Sequence, residues 1–187
     1  MDLVFLLKKV VNKLEKLKIP YMVTGGIAVS FWGLPRTTHD VDIVVKIREE
    51  DKNRVIRAFG KEFYISEKAV TEAIKNQFTF NIVHYKSGLK IDFWLGKETD
   101  FGDLEFKRRQ KRKVFGKEIY FISPEDLILE KLLWFKKSQS TRHLEDTEGI
   151  IKISKPDLDY IKNWAKKHST IEILNGILKK ERKDFVV

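Results

Sequence analysis

The chain has 187 residues, enough for one well-filled core or for one domain with a helical appendage. At 42% hydrophobic and 34% charged residues it has a globular composition, and no apolar run reaches the roughly 18 residues that span a bilayer. The absence of cysteine excludes disulfides, thiolate chemistry and cysteine-bound zinc, and the four histidines lack metal-ligand spacing.

The formal net charge is +10, from 37 Lys+Arg against 27 Asp+Glu. Such an excess suits an anionic partner, a nucleotide or nucleic acid. It equally suits the lysine-rich composition of a thermophile's proteins.

From the N-terminus, Leu3, Leu6, Leu7, Val10, Val11, Leu14 and Leu17 recur at helical spacing, so residues 3–17 are expected as an amphipathic helix. With an early acid, lysines and no cleavage-like site, this segment does not read as a signal peptide, and a cytoplasmic location is expected. Ile19-Pro20 leads into a short strand, Tyr21 to Thr24. Gly25-Gly26 is read as a turn, followed by a short helix that Gly33 closes, a loop, and a strand from Val41 to Lys46. A helix ending at Gly60, a strand at Phe63 to Ile65 and a second short helix come next. "FTFNIVHY" and "LKIDFWL" form an expected hairpin, residues 100–113 fit helix or strand, and "KEIYFIS" is a last strand.

From Ser123 the character changes. "SPEDLILEKLLWFKK" has a serine cap, proline at the first helical position and acids in its first turn. Helical patterns follow over 142–152, 157–168 and 170–182. The expected architecture is therefore α+β, with a mixed sheet and packed helices over 1–122 and a helical portion over 123–187.

Asp40 and Asp42 stand two residues apart at the mouth of an apolar strand and point to one side, their α-carbons about 6–7 Å apart. Like charges that close resist burial unless a cation lies between them, and oxygen-only ligands favour Mg²⁺ or Mn²⁺. The plain alternative is an exposed strand start. Asp92 interrupts a second apolar strand, where an unpaired carboxylate costs several kcal/mol. Were that strand to lie beside the first, three carboxylates would converge and hold two metals; otherwise a lysine would answer Asp92. Gly25-Gly26 between strand and helix admits a phosphate to helix N–H groups, or is a simple tight turn.

"TGGIAVSFWGLPRTTHDVDIVV" resembles the nucleotidyltransferase superfamily that includes DNA polymerase beta and kanamycin nucleotidyltransferase. Within it, "RTTHDVD", "SPEDLILEKLLWF" and "TRHLEDTEGI" are similar to the small prokaryotic branch of AbiEii-type toxins, and the likeness covers about residues 20–150. It implies transfer of a nucleoside monophosphate from NTP to an acceptor hydroxyl, with two Mg²⁺ (or Mn²⁺) ions on Asp40, Asp42 and Asp92. It implies nucleotide contacts at Gly25, Gly26, Ser30, Arg36, Thr38 and Lys131. RNA, such as a tRNA 3′ end, is the acceptor it favours, then a protein, then a small molecule, with an antitoxin as a further partner. A degenerate nucleotide- or RNA-binding module is the alternative.

Lys131 is otherwise one more solvated helix lysine, and Arg142 and Asp146, four apart, a simple helix salt bridge. The basic run Lys107 to Lys113 would track phosphates or serve as a solvated edge. Phe31, Trp32 and Trp134 are expected in the core.

Overall fold

The computed structural model describes residues 3–114 and 116–184, with side chains through residue 180. The chain falls into two compact units: Met1–Ile27 with Thr37–Ile122, and Ala28–Arg36 with Ser123–Val187. The second unit joins the segment Ala28–Arg36, which follows the glycine pair, to the residues from Ser123 on.

The first unit is built on a mixed sheet. Its strands are β1 (Tyr21–Thr24), β2 (Val41–Val45), β3 (Phe63–Ile65), β4 (Thr79–His84), β5 (Lys90–Leu95), β6 (Gln110–Val114) and β7 (Lys117–Phe121). The spatial order is β3-β4-β5-β2-β1-β7-β6. Neighbouring β2 and β5 run parallel in register Val41↔Ile91, Asp42↔Asp92, Ile43↔Phe93, Val44↔Trp94 and Val45↔Leu95. β1 is antiparallel to β2, with Thr24 opposite Asp42.

Alternation explains both faces of this pair. Val41, Ile43, Val45, Ile91, Phe93 and Leu95 are buried on one side, each worth about 1.5–3 kcal/mol when fully withdrawn from water. Helix α1 (Leu3–Lys16) buries Leu6, Leu7, Val10, Val11 and Leu14. Helices α3 (Lys52–Phe59) and α4 (Glu67–Asn76) bury Val55, Phe59, Val70 and Ala73. Phe59 meets Phe63 and Phe93 edge-on, both at 5.6 Å between ring centres. The even-numbered residues, Asp42, Val44, Lys90, Asp92 and Trp94, share the opposite and less buried face.

The ambiguous segment 100–113 resolves into both candidates. Thr99 caps α5 (Asp100–Arg108), and β6 follows after Arg109. The glycine pair corrects the reading of a separate turn. Helix α2 (Gly25–Trp32) begins at Gly25 itself, which takes φ +61° to enter it.

The second unit is helical. α6 (Pro124–Ser138), α7 (Arg142–Ser154), α8 (Leu158–Lys167) and α9 (Ile171–Asp184) follow in chain order. Ser123 caps α6 by accepting from the Asp126 N–H at 3.1 Å. The Asp126 carboxylate, fully buried, accepts from the Ser123 hydroxyl and from the Tyr160 hydroxyl, both at 2.7 Å. Phe31 and Trp134 are 37% and 39% exposed, so neither is the core residue expected of it. Among the described residues no helix is long and apolar enough to cross a membrane.

Candidate active site

The register of β2 and β5 sets Asp42 and Asp92 side by side on one sheet face, on backbones roughly 4.8 Å apart. Asp40 immediately precedes β2 and is half exposed, whereas only 17% of the Asp92 side chain meets solvent. The conditional step in the sequence reading, that the two strands be neighbours, is therefore met.

Each carboxylate has its own support. The Trp94 indole N–H donates to Asp42 Oδ1 at 3.2 Å. Asp42 also lies against the start of α2: a β-carbon at Gly25 would sit 2.0 Å from its Oδ2. Only glycine leaves room there, and the positive φ independently favours it. Gly26 performs the same service for Thr38, whose Oγ1 would lie 2.5 Å from an added β-carbon. The Thr38 hydroxyl donates to the Asp40 carbonyl at 3.3 Å. The first N–H groups of α2 have no helical acceptor and carry its positive potential. The two glycines thus bring a carboxylate and a hydroxyl against that helix end.

The third member of the face was missed by the sequence reading. Lys90 Nζ lies 2.9 Å from Asp92 Oδ2 and 3.9 Å from Asp40 Oδ1. The hydrogen bond to Asp92 raises the Lys90 pKa above its ordinary value against the opposing effect of burial, and the charges of Asp92, Asp40 and Asp42 add to it. The signal was in the sequence: Lys90, Asp92 and Trp94 alternate along one strand and so share its face.

Among the described residues no three His, Asp or Glu side chains form a ready-made metal cluster. The side chains nevertheless fit a hard divalent cation. Two in-register carboxylates and a third beside them offer oxygen ligands only, and a lysine ammonium already stands between Asp92 and Asp40 as a resident positive charge.

Ser30, Arg36 and Lys131 belong to the second unit, where they serve one another and Asp146. Arg36 grips Asp146 with both arms, Nε to Oδ1 at 2.6 Å and Nη2 to Oδ2 at 3.0 Å. Lys131 Nζ reaches Asp146 Oδ2 at 2.8 Å. The Ser30 hydroxyl donates to the Arg36 carbonyl at 3.1 Å and accepts from the Arg36 N–H at 3.3 Å. Lys131 is 8% exposed, so it is not the solvated lysine of the plain reading. Asp146 is answered by Arg36 and Lys131, which corrects the expected local pair with Arg142. Burial alone would push the Asp146 carboxyl up; Arg36 and Lys131 overcome this and hold it below its ordinary value.

Comparison with known proteins agrees with this architecture. Residues 6–97 match the aminoglycoside-2''-adenylyltransferase family. No curated protein matches the sequence significantly. Among solved structures, ANT(2'')-Ia in complex with adenylyl-2''-tobramycin superposes with a TM-score of 0.60 at 12% identity, over 89% of this chain and 97% of that one. The lincomycin-bound lincosamide antibiotic adenylyltransferase LnuA gives 0.53 at 14% identity, over 79% and 95%. An antigenic nucleotidyltransferase-like protein from Paracoccidioides brasiliensis gives 0.53 at 20% identity, over 77% and 71%.

The fold, and the family match over residues 6–97, are those of nucleotidyltransferases. The family match covers just under half of the chain, and neither it nor these structures single out the AbiEii-type branch.

Proposed function

We propose that the chain transfers a nucleoside monophosphate from an NTP to an acceptor hydroxyl, releasing pyrophosphate, on the sheet face that carries Asp42 and Asp92. The observation that carries this reading is the Asp42↔Asp92 register beside the glycine-entered start of α2. Asp40, Asp42 and Asp92 are the residues to hold Mg²⁺ or Mn²⁺, two ions once NTP is bound. Bound there, the cations neutralise the triphosphate and lower the pKa of the attacking hydroxyl. Asp92 accepts the hydroxyl proton. Gly25 and Gly26 offer backbone N–H groups to phosphate oxygens, and Thr38 holds the Asp40 backbone through its hydroxyl. Ser30, Arg36 and Lys131 are assigned to securing Asp146, because each is already engaged in that network.

For the acceptor, the reading favours RNA. The chain carries a net charge of +10, and β6 presents Lys111, Arg112 and Lys113 on an exposed edge strand. Such an edge attracts a phosphate backbone and repels a polycationic acceptor such as an aminoglycoside. ATP is the donor we would try first, given the adenylyl chemistry named for the neighbours. An antitoxin partner and a cytoplasmic setting belong to the same proposal. A small-molecule hydroxyl is the second reading, favoured by the family matched over residues 6–97.

The test supplies each α-³²P-labelled NTP with Mg²⁺, total RNA, cell extract, tobramycin and lincomycin, with Asp42→Asn as control. Label entering RNA only with the unaltered chain supports the favoured reading. Label entering an antibiotic or a protein replaces the acceptor, and no label anywhere with Mg²⁺-dependent NTP binding intact turns the reading to a binding module.

A further inference from the structure

A carboxylate cluster without a cation is under electrostatic strain, and this one carries its own. Lys90 projects from β5 on the face of Asp92 and Trp94 and sits between two of the three aspartates, 2.9 Å from Asp92 and 3.9 Å from Asp40. The contact with Asp92 has hydrogen-bond length; the one with Asp40 is purely Coulombic at that range. Asp42, by contrast, is steadied by a neutral donor, the Trp94 indole.

We propose that Lys90 is a resident counter-cation of the aspartate cluster, which a divalent cation must displace from Asp92 before Asp92 becomes a ligand. The inference rests on the reading of these aspartates as metal ligands. An ammonium on Asp92 Oδ2 occupies lone-pair directions that a metal would use, and two cations sharing one carboxylate repel strongly in a partly desolvated site. The lysine stem makes displacement feasible. Its side chain is 40% exposed, and four methylenes let the ammonium swing away without moving β5.

Two consequences follow. Lys90 offsets part of the cluster's negative charge without metal, so the fold does not depend on one. Metal alone binds weakly, whereas metal arriving with a triphosphate gives the released ammonium a new anionic partner. Lys90 thereby couples the two ligands, favouring the metal–nucleotide complex over the free ion.

The experiment measures Mn²⁺ binding by the loss of the free-ion electron paramagnetic resonance signal, with and without a non-hydrolysable NTP analogue. The proteins are the full chain and its Lys90→Met, Lys90→Gln, Lys90→Arg and Asp42→Asn variants. Lys90→Met and Lys90→Gln should bind free Mn²⁺ about tenfold more tightly, and the extra affinity contributed by nucleotide should shrink. In EDTA both should melt lower than the parent and recover when Mn²⁺ is added; Lys90→Arg should resemble the parent.

If the parent binds Mn²⁺, Asp42→Asn abolishes it and neither neutral variant binds more tightly, Lys90 is not a competitor and this inference alone falls. If neither the parent nor the neutral variants bind Mn²⁺ at all, with or without the analogue, the metal-site reading falls with it. Tight binding by the neutral variants where the parent binds none is the strongest support.

Discussion

Asp92 and Asp146 are both aspartates drawn away from bulk water, yet the molecule answers them in opposite ways. Asp146, with 3% of its side chain exposed, receives the full fork of Arg36 and the ammonium of Lys131. Asp92, 17% exposed, shares the partly exposed Lys90 ammonium with Asp40 and lies beside a second carboxylate, Asp42. The first arrangement is complete: three donors converge on two oxygens and leave nothing for a ligand to supply. The second sets carboxylates on one sheet face against the ammonium of Lys90, carried on a long and partly exposed stem. A buried ion network of the first kind fixes structure. A cluster of the second kind gains by taking up a further cation.

The sharpest way to break this contrast is to remove the completed network's anion. Asp146→Ala removes the anion that Lys131 and Arg36 share and should cost about 3–5 kcal/mol in urea denaturation, whereas Asp92→Asn should leave stability nearly unchanged or raise it. Equal losses in the two variants would erase the distinction.

A smaller effect is expected at Gly25. Gly25→Ala places a methyl group where Asp42 Oδ2 lies, in a backbone conformation that L-residues adopt with strain. Stability should fall by about 1–3 kcal/mol, and Mg²⁺-dependent NTP binding should fall with it. Stability lost with NTP binding retained would separate the glycine from the site.

Acid titration sharpens the same comparison. The Asp146 carboxyl is held below its ordinary 3.8 in the folded chain. Its contribution is therefore complete above the unfolded value and is lost as pH falls through the lower folded value. Urea midpoints of the parent should converge on those of Asp146→Asn as pH drops below about 4; a constant gap would contradict the assigned cause. Least of all, Trp94→Phe removes one donor from Asp42 Oδ1. It should cost about 1 kcal/mol or less in stability and weaken metal binding several-fold, measurable by Mn²⁺ titration.

How much of this was legible in the sequence follows from the range of each interaction. Asp40, Asp42 and Asp92 stood out because each interrupts an apolar strand, and a period of two fixes the face of a side chain without any knowledge of the fold. The pairing of β2 with β5 was only a condition, since the sequence does not say which strands are neighbours. Lys90 was readable by the same period, two residues before Asp92, but was hidden among many lysines. The Arg36–Asp146 fork was not readable at all. Its ends lie 110 residues apart, while Arg142 offered a nearer and plausible partner four residues before Asp146. Gly25-Gly26 looked like a turn because two glycines break helices in isolation. The contact with Asp42 that makes glycine necessary at the start of α2 is tertiary.

The measurement that bears most directly on the whole account is calorimetric titration of ATP and the other NTPs into the parent chain and Asp42→Asn, each with Mg²⁺ and with EDTA. The account predicts saturable binding of at least one NTP by the parent that requires Mg²⁺, and its loss in Asp42→Asn with an unchanged melting temperature. Binding that persists in EDTA, or that Asp42→Asn retains at full strength, would contradict it.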